Sequence, residues 1–159
     1  MRVIAIDPGY DRLGVAVLES QYQKENLLFS TCIETKREDT ISDRLHVIGV
    51  SVKKLIEEYK PDSMAVETLF FNKNIKTALI VAQARGVLLY IGTQVDCAIY
   101  EFGPQEIKIA VTGHGQSSKQ AVKSMVQRLI YNAPDNALDD EYDAIAVGIT
   151  CLAHHGRNR

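Results

Sequence analysis

Four acidic residues stand where an element of structure should end or begin: Asp7, Glu67, Asp140 and Asp143. Carboxylates brought within a few ångströms of one another raise each other's pKa, so a cluster of them calls for a bound cation. Hard oxygen donors without a matching set of Cys or His point to Mg2+ or Mn2+ rather than Zn2+. Each acid has a plainer reading when taken alone. An Asp before Pro-Gly forms turns, a Glu after a short strand is solvated, and acids in the first turn of a helix cap it or complement its dipole.

The surrounding sequence supplies elements that could bring the four together. Asp7 closes the apolar run Arg2-Val3-Ile4-Ala5-Ile6, and Pro8-Gly9 breaks the strand directly after it. Glu67 closes a second run, Met64-Ala65-Val66, which follows the turn signal Lys60-Pro61-Asp62. Asp140 and Asp143 open the last apolar stretch, Ala144 to Leu152, and a spacing of three puts both on one helical face in its first turn. Between these, Leu13–Leu18 and Leu27–Ile33 read as strands of an antiparallel meander with the first. Ile41 to Ile56 has helical spacing, as does Ile75 to Gln94. Val95 to Phe102 reads as the last strand, Gly103-Pro104 starts a helix, and Ser117 or Ser118 caps another that carries Lys119 and Lys123.

The stretches Ala5-Ile6-Asp7-Pro8-Gly9, Ala65-Val66-Glu67-Thr68-Leu69-Phe70-Phe71-Asn72-Lys73-Asn74, Ala82-Gln83-Ala84-Arg85-Gly86-Val87 and Asp140-x-x-Asp143-Ala144-Ile145-Ala146 resemble, in order and spacing, the RuvC family of Holliday-junction resolvases. The resemblance runs over nearly the whole chain. It implies a ribonuclease-H-like α/β fold, in which a three-strand antiparallel meander and two parallel strands form a mixed sheet flanked by helices. It also implies a homodimer, cleavage of four-way DNA junctions that leaves 5′-phosphates, and the four acids as ligands of two Mg2+ ions, with Mn2+ as substitute. Two such ions roughly 4 Å apart serve an in-line displacement at phosphorus without a protein nucleophile. The RuvA–RuvB branch-migration complex is the implied partner. Glu141-Tyr142 departs from the small residues usual between the last two acids, and Asp139 offers a rival register; Asp140 alone keeps the spacing of three to Asp143.

Composition agrees with one ribonuclease-H-like nuclease domain over residues 1–159. No apolar run approaches a membrane span, and a strand begins at once, so the expectation is a cytoplasmic protein without a targeting peptide. Cys32, Cys97 and Cys151 lie in apolar runs and read as buried free thiols. A net charge of −2 is unusual for a DNA-binding protein, but between residues 70 and 130 seven basic side chains face three acidic ones. Of these, the resemblance places Lys108 and Lys119 at DNA-facing positions. Lys73, Arg85 and Lys123 are candidate phosphate contacts, with solvated helix surface as the other reading. Phe70 is by resemblance a wedge between unpaired bases, or else a core residue.

Three features stay open at this level. His114 is a proton shuttle, a phosphate contact or neither, and His154-His155 with Arg157 and Arg159 forms a short basic end. Ala78, Ala82 and Gly86, four apart on the helix bearing Leu79 and Tyr90, would let two helices approach closely, as at the family's subunit interface; ordinary packing on the sheet is the alternative. Among rival functions, an actin-like ATPase needs a far longer chain. A ribonuclease-H-like nuclease acting on RNA–DNA hybrid or structured RNA is the strongest runner-up.

Overall fold

The computed structural model describes residues 1–21, 24–68 and 75–156. Strands β1 (Arg2–Asp7), β2 (Arg12–Gln21) and β3 (Lys24–Glu34) pair antiparallel in sequence. β4 (Ser63–Glu67) and β5 (Ala98–Phe102) join in parallel on the other side of β1, giving the order β3-β2-β1-β4-β5. This is the mixed sheet expected from the sequence. The helices are α1 (Ile41–Tyr59), α2 (Ile75–Gln94), α3 (Pro104–Thr112), α4 (Lys119–Leu129) and α5 (Asp139–His155).

Alternation along the strands sorts the interior into two cores. Ile4, Ile6, Met64 and Val66 pack on α1 and α2 with Ile48, Val52, Leu88 and Ile91. Val3, Ala5, Ala65 and Phe102 face the opposite way, onto α5 and the helices beside it. Asp7 and Glu67 continue this second set by two residues, so their side chains emerge on the α5 side.

Local chemistry sets the helix ends. Thr40 and Ser118 are the N-caps of α1 and α4, accepting from Asp43 N and Ala121 N, each at 3.2 Å. α1 stops at Lys60, which is left-handed at φ 47° ahead of Pro61. The expected start of the last strand at Val95 is not what forms. Asp96 takes φ 55°, and the N–H groups of Val95, Asp96 and Cys97 go to the last carbonyls of α2, so β5 begins only at Ala98. Cys97 and Cys151 are free and buried as expected, whereas Cys32 on the outer strand is only half-buried. None of the helices among the described residues is long and apolar enough to cross a membrane.

α5 is buried almost all round, from Tyr142 to Leu152 apart from Asp143, because the sheet lies on one side and α3 and α4 on the other. Two glycines permit the approach. A Cβ at Gly14 would stand 1.9 Å from the Asp140 carbonyl oxygen, and one at Gly148 would stand 2.3 Å from Leu18 Cδ1. The first obstacle is main chain and cannot yield, while the second is a side-chain tip that can rotate. Gly14→Ala is therefore expected to cost about 3 kcal/mol and Gly148→Ala about 1 kcal/mol, read from urea unfolding. Equal losses would mean that the β2–α5 contact is not the rigid one.

Candidate active site

Asp7 and Glu67 end β1 and β4, one residue beyond the paired positions Ile6 and Val66. The exit of β4 is pinned by Thr68, whose N–H donates to the Phe102 carbonyl at 2.9 Å. Opposite them, α5 brings Asp143, and α3 and α4 bring Lys108 and Lys119. These five side chains, with Pro104, Ile107, Val122 and Ala146, line one pocket of about 330 Å³. Lys119 Nζ lies 3.2 Å from Asp143 Oδ2.

Asp140 stands apart from that pocket. Its Oδ2 lies 3.2 Å from Arg12 Nε at the start of β2, without hydrogen-bond geometry, and among the described residues has no hydrogen-bond partner. It lines a neighbouring cavity of about 630 Å³ with Gly9, Arg12 and Arg37. The first helical turn of α5 holds Asp139, Asp140 and Glu141; Asp143 comes one turn later, so the helix dipole favours it less than the sequence suggests. Asp139 is exposed and Asp140 half-buried.

The electrostatics follow from burial. Desolvation and the charges of Glu67, Asp143 and Asp140 push Asp7 up to about 8. Desolvation and Asp143 push Glu67 up to about 7, against the pull of Lys119 and Lys108. Asp143 is raised by desolvation, with Lys119 opposing, and Lys119 is itself raised by Asp143. Acids raised in this way, first by desolvation and then by one another's charge, are ones that a bound cation would relieve.

The comparison with known proteins decides the family. Residues 3–151 match the family model of the crossover junction endodeoxyribonuclease RuvC. The chain belongs to the RuvC family. Over 153 residues it is 43% identical to the crossover junction endodeoxyribonuclease RuvC of Thermosipho melanesiensis, covering 96% of this chain and 97% of that one. The Thermus thermophilus RuvC structure superposes with a TM-score of 0.86 at 29% identity, covering 98% and 97% of the two chains. T. thermophilus RuvC in complex with a Holliday junction substrate gives 0.90 at 28%, covering 99% and 95%. The mixed sheet with its flanking helices is thus the ribonuclease-H-like fold of that family.

RuvC-family nucleases are metal-dependent, so a divalent metal is implied for this chain, and the donor set fits a hard one. The pocket offers carboxylate oxygens and neither Cys nor His. Among the described residues no three His, Cys, Asp or Glu side chains stand close enough to hold an ion as they are.

The remaining sequence candidates divide. Lys108 and Lys119 are in the pocket. Arg85 is turned to Glu101, with its Nη2 2.6 Å from Oε1, and Lys123 Nζ lies 4.5 Å from the centre of the Tyr142 ring. Phe70 and Lys73 lie outside the described residues, as do Arg157 and Arg159. His154 and His155 pack against Phe102 and Tyr100, while His114 sits in the α3–α4 loop, its N–H donating to Thr112 Oγ1 at 3.2 Å. Arg12 was not foreseen. Its only signal in the sequence is a basic residue five positions after Asp7, which says nothing of α5.

A carboxyl whose folded pKa exceeds its unfolded one favours folding at low pH. That contribution is lost as pH rises from the ordinary carboxylate range through the folded value. For chelator-treated protein the melting temperature should therefore fall between pH 6 and pH 8. Asp7→Asn should flatten this fall and stabilise the protein at pH 8 by on the order of 2 kcal/mol. A pH-independent melting temperature in the wild type would show that burial and neighbouring charge do not raise these carboxyls.

Proposed function

We propose that this chain is a crossover junction endodeoxyribonuclease that resolves four-way (Holliday) DNA junctions by paired cuts in recombination and repair, with Asp7, Glu67, Asp140 and Asp143 as its metal ligands. The observation that carries this reading is the convergence of Asp7, Glu67 and Asp143 with Lys108 and Lys119 in one pocket of a RuvC-family chain. We take Mg2+ as the resident ion, two to a site, with Mn2+ able to replace it. When bound, it supplies Lewis-acid polarisation of the scissile phosphate and stabilisation of the leaving oxygen.

The chain's own residues do the rest. Lys108 and Lys119 draw the phosphate backbone to the rim of the pocket and offset the acids until DNA arrives. The rigid strand ends hold Asp7 and Glu67 so that few side-chain rotors have to be frozen when substrate binds. Arg85 and Lys123 would reach DNA only by leaving Glu101 and Tyr142, and Phe70 and Lys73 are further candidate contacts. Products would carry 5′-phosphates and 3′-hydroxyls, so that matched nicks can be religated.

A second copy of the chain and the RuvA–RuvB complex complete the reading, in a cytoplasmic protein folded as a single domain over residues 1–159. α2 supports the dimer. Ala84, Leu88 and Ile91 are buried on its inner face, while Leu79 and Tyr90 are 61% and 62% exposed and the space around Gly86 is open. Two symmetric sites would suit a substrate whose arms are related by two-fold symmetry.

A panel of four-way junction, RNA–DNA hybrid and plain duplex tests the substrate class: paired cuts in the junction alone are expected, and preferential cutting of hybrid would favour the runner-up. On the junction, Asp7→Asn, Glu67→Gln, Asp140→Asn and Asp143→Asn should each lower the rate by at least about 100-fold without weakening binding, while Asp139→Asn cuts nearly as wild type. A variant retaining more than about a tenth of the rate removes its residue from the ligand set.

Ala82→Glu should give monomers by sedimentation that nick a cruciform plasmid without linearising it. A monomeric wild type that still makes paired cuts would rule out the α2 interface.

A further inference from the structure

Each of the four acids lies near a basic side chain. Lys119 pairs with Asp143 and its charge also acts on Glu67 and Asp7, Lys108 adds a smaller pull on Glu67, and Arg12 pairs with Asp140. The Arg12 pair differs from the others because it holds its carboxylate outside the shared pocket. Asp140 lines the cavity on the β2 side, whereas Asp7, Glu67 and Asp143 line the pocket next to it.

Both ends of this pair sit on fixed backbone. The turn before Arg12 is fastened by the buried Arg44, which donates at 2.9 Å to the Tyr10 carbonyl and at 2.9 Å to Thr35 Oγ1, pairs with Asp11, and lies over the Tyr10 ring at 4.6 Å. Thr35 N donates to the Asp11 carbonyl at 3.0 Å. On the other side, the main chain of Asp140 abuts Gly14. Only side-chain rotation can therefore separate or join the two charges.

The contact itself is a weak one. Arg12 Nε lies 3.2 Å from Asp140 Oδ2, the Arg12 side chain is 51% exposed, and among the described residues Asp140 Oδ2 has no hydrogen bond. A divalent cation carries twice the charge of the guanidinium and would win this carboxylate.

We infer that Arg12 is a competing cation for Asp140: it holds the carboxylate aside and must release it when the divalent metal loads, so that Arg12 lowers the site's metal affinity and is a positioning residue for the fourth ligand. This rests on the reading of Asp140 as a ligand. Its consequence is that the site is completed only where metal is plentiful enough to displace the arginine.

Mn2+ alone, titrated into the DNA-free protein at fixed pH and ionic strength and followed by the electron paramagnetic resonance of the free ion, tests this without any activity measurement. Arg12→Gln is expected to bind Mn2+ about three- to tenfold more tightly, and Asp140→Asn more weakly than wild type. In the double variant the affinity should equal that of Asp140→Asn within about twofold, since the two changes act on one contact. Arg12→Lys, which keeps the charge with a shorter reach, should fall between, and it carries the test if Arg12→Gln does not fold. Unchanged or weaker binding in the Arg12 variants overturns the inference, as does equal tightening in the Asp140→Asn background, which would be a general charge effect. Unchanged affinity in Asp140→Asn would instead overturn the ligand reading itself.

Discussion

Helix α5 meets the sheet through Gly14 and Gly148, and the closeness of that contact determines where its charged first turns can lie. With backbone against backbone at Gly14, the Asp140 main chain is seated over β2, and Asp143 is carried one turn further, over the ends of β1 and β4. Because Val3, Ala5 and Ala65 face the same helix, the strand alternation that builds this core also turns Asp7 and Glu67 toward it. The hydrophobic layer and the acidic site are thus consequences of one packing arrangement.

The arrangement concentrates negative charge where water is scarce. Raised pKa values at Asp7, Glu67 and Asp143 express that cost, and the nearby cations offset part of it. Lys108 and Lys119 line the same pocket as Asp7, Glu67 and Asp143, so their charge offsets part of that of the acids. Arg12, at the start of β2, pairs with Asp140, and its charge also reaches Cys32. An acidic site of this kind is strained by itself, and under the proposed function metal and DNA would relieve it.

Much of this was legible in the sequence because the signals were local or strongly periodic. Apolar runs ending in Asp7 and Glu67, the helical spacing of α1 and α2, and a serine cap at Ser117 or Ser118, which the structure places at Ser118, depend on residues within one or two turns of each other. The miss at Val95 to Cys97 shows the limit: β-branched and apolar residues suited a strand, but their N–H groups were needed by the last carbonyls of α2. The pairing of Arg85 with Glu101 likewise joins residues with no sequence relation, one on α2 and one on β5.

The amino-acid sequence by itself determined the acids, their hard-donor chemistry and the elements that carry them, because residue type and periodicity are properties of short segments. Only the tertiary structure decided which acids share a pocket and which basic side chain each one meets. A spacing of three puts Asp140 and Asp143 near one helical face, but the two line different pockets, Asp140 beside Arg12 of β2 and Asp143 beside Lys119 of α4. Those partners are more than 20 residues away along the chain, and their approach is set by how closely α5 can pack on the sheet.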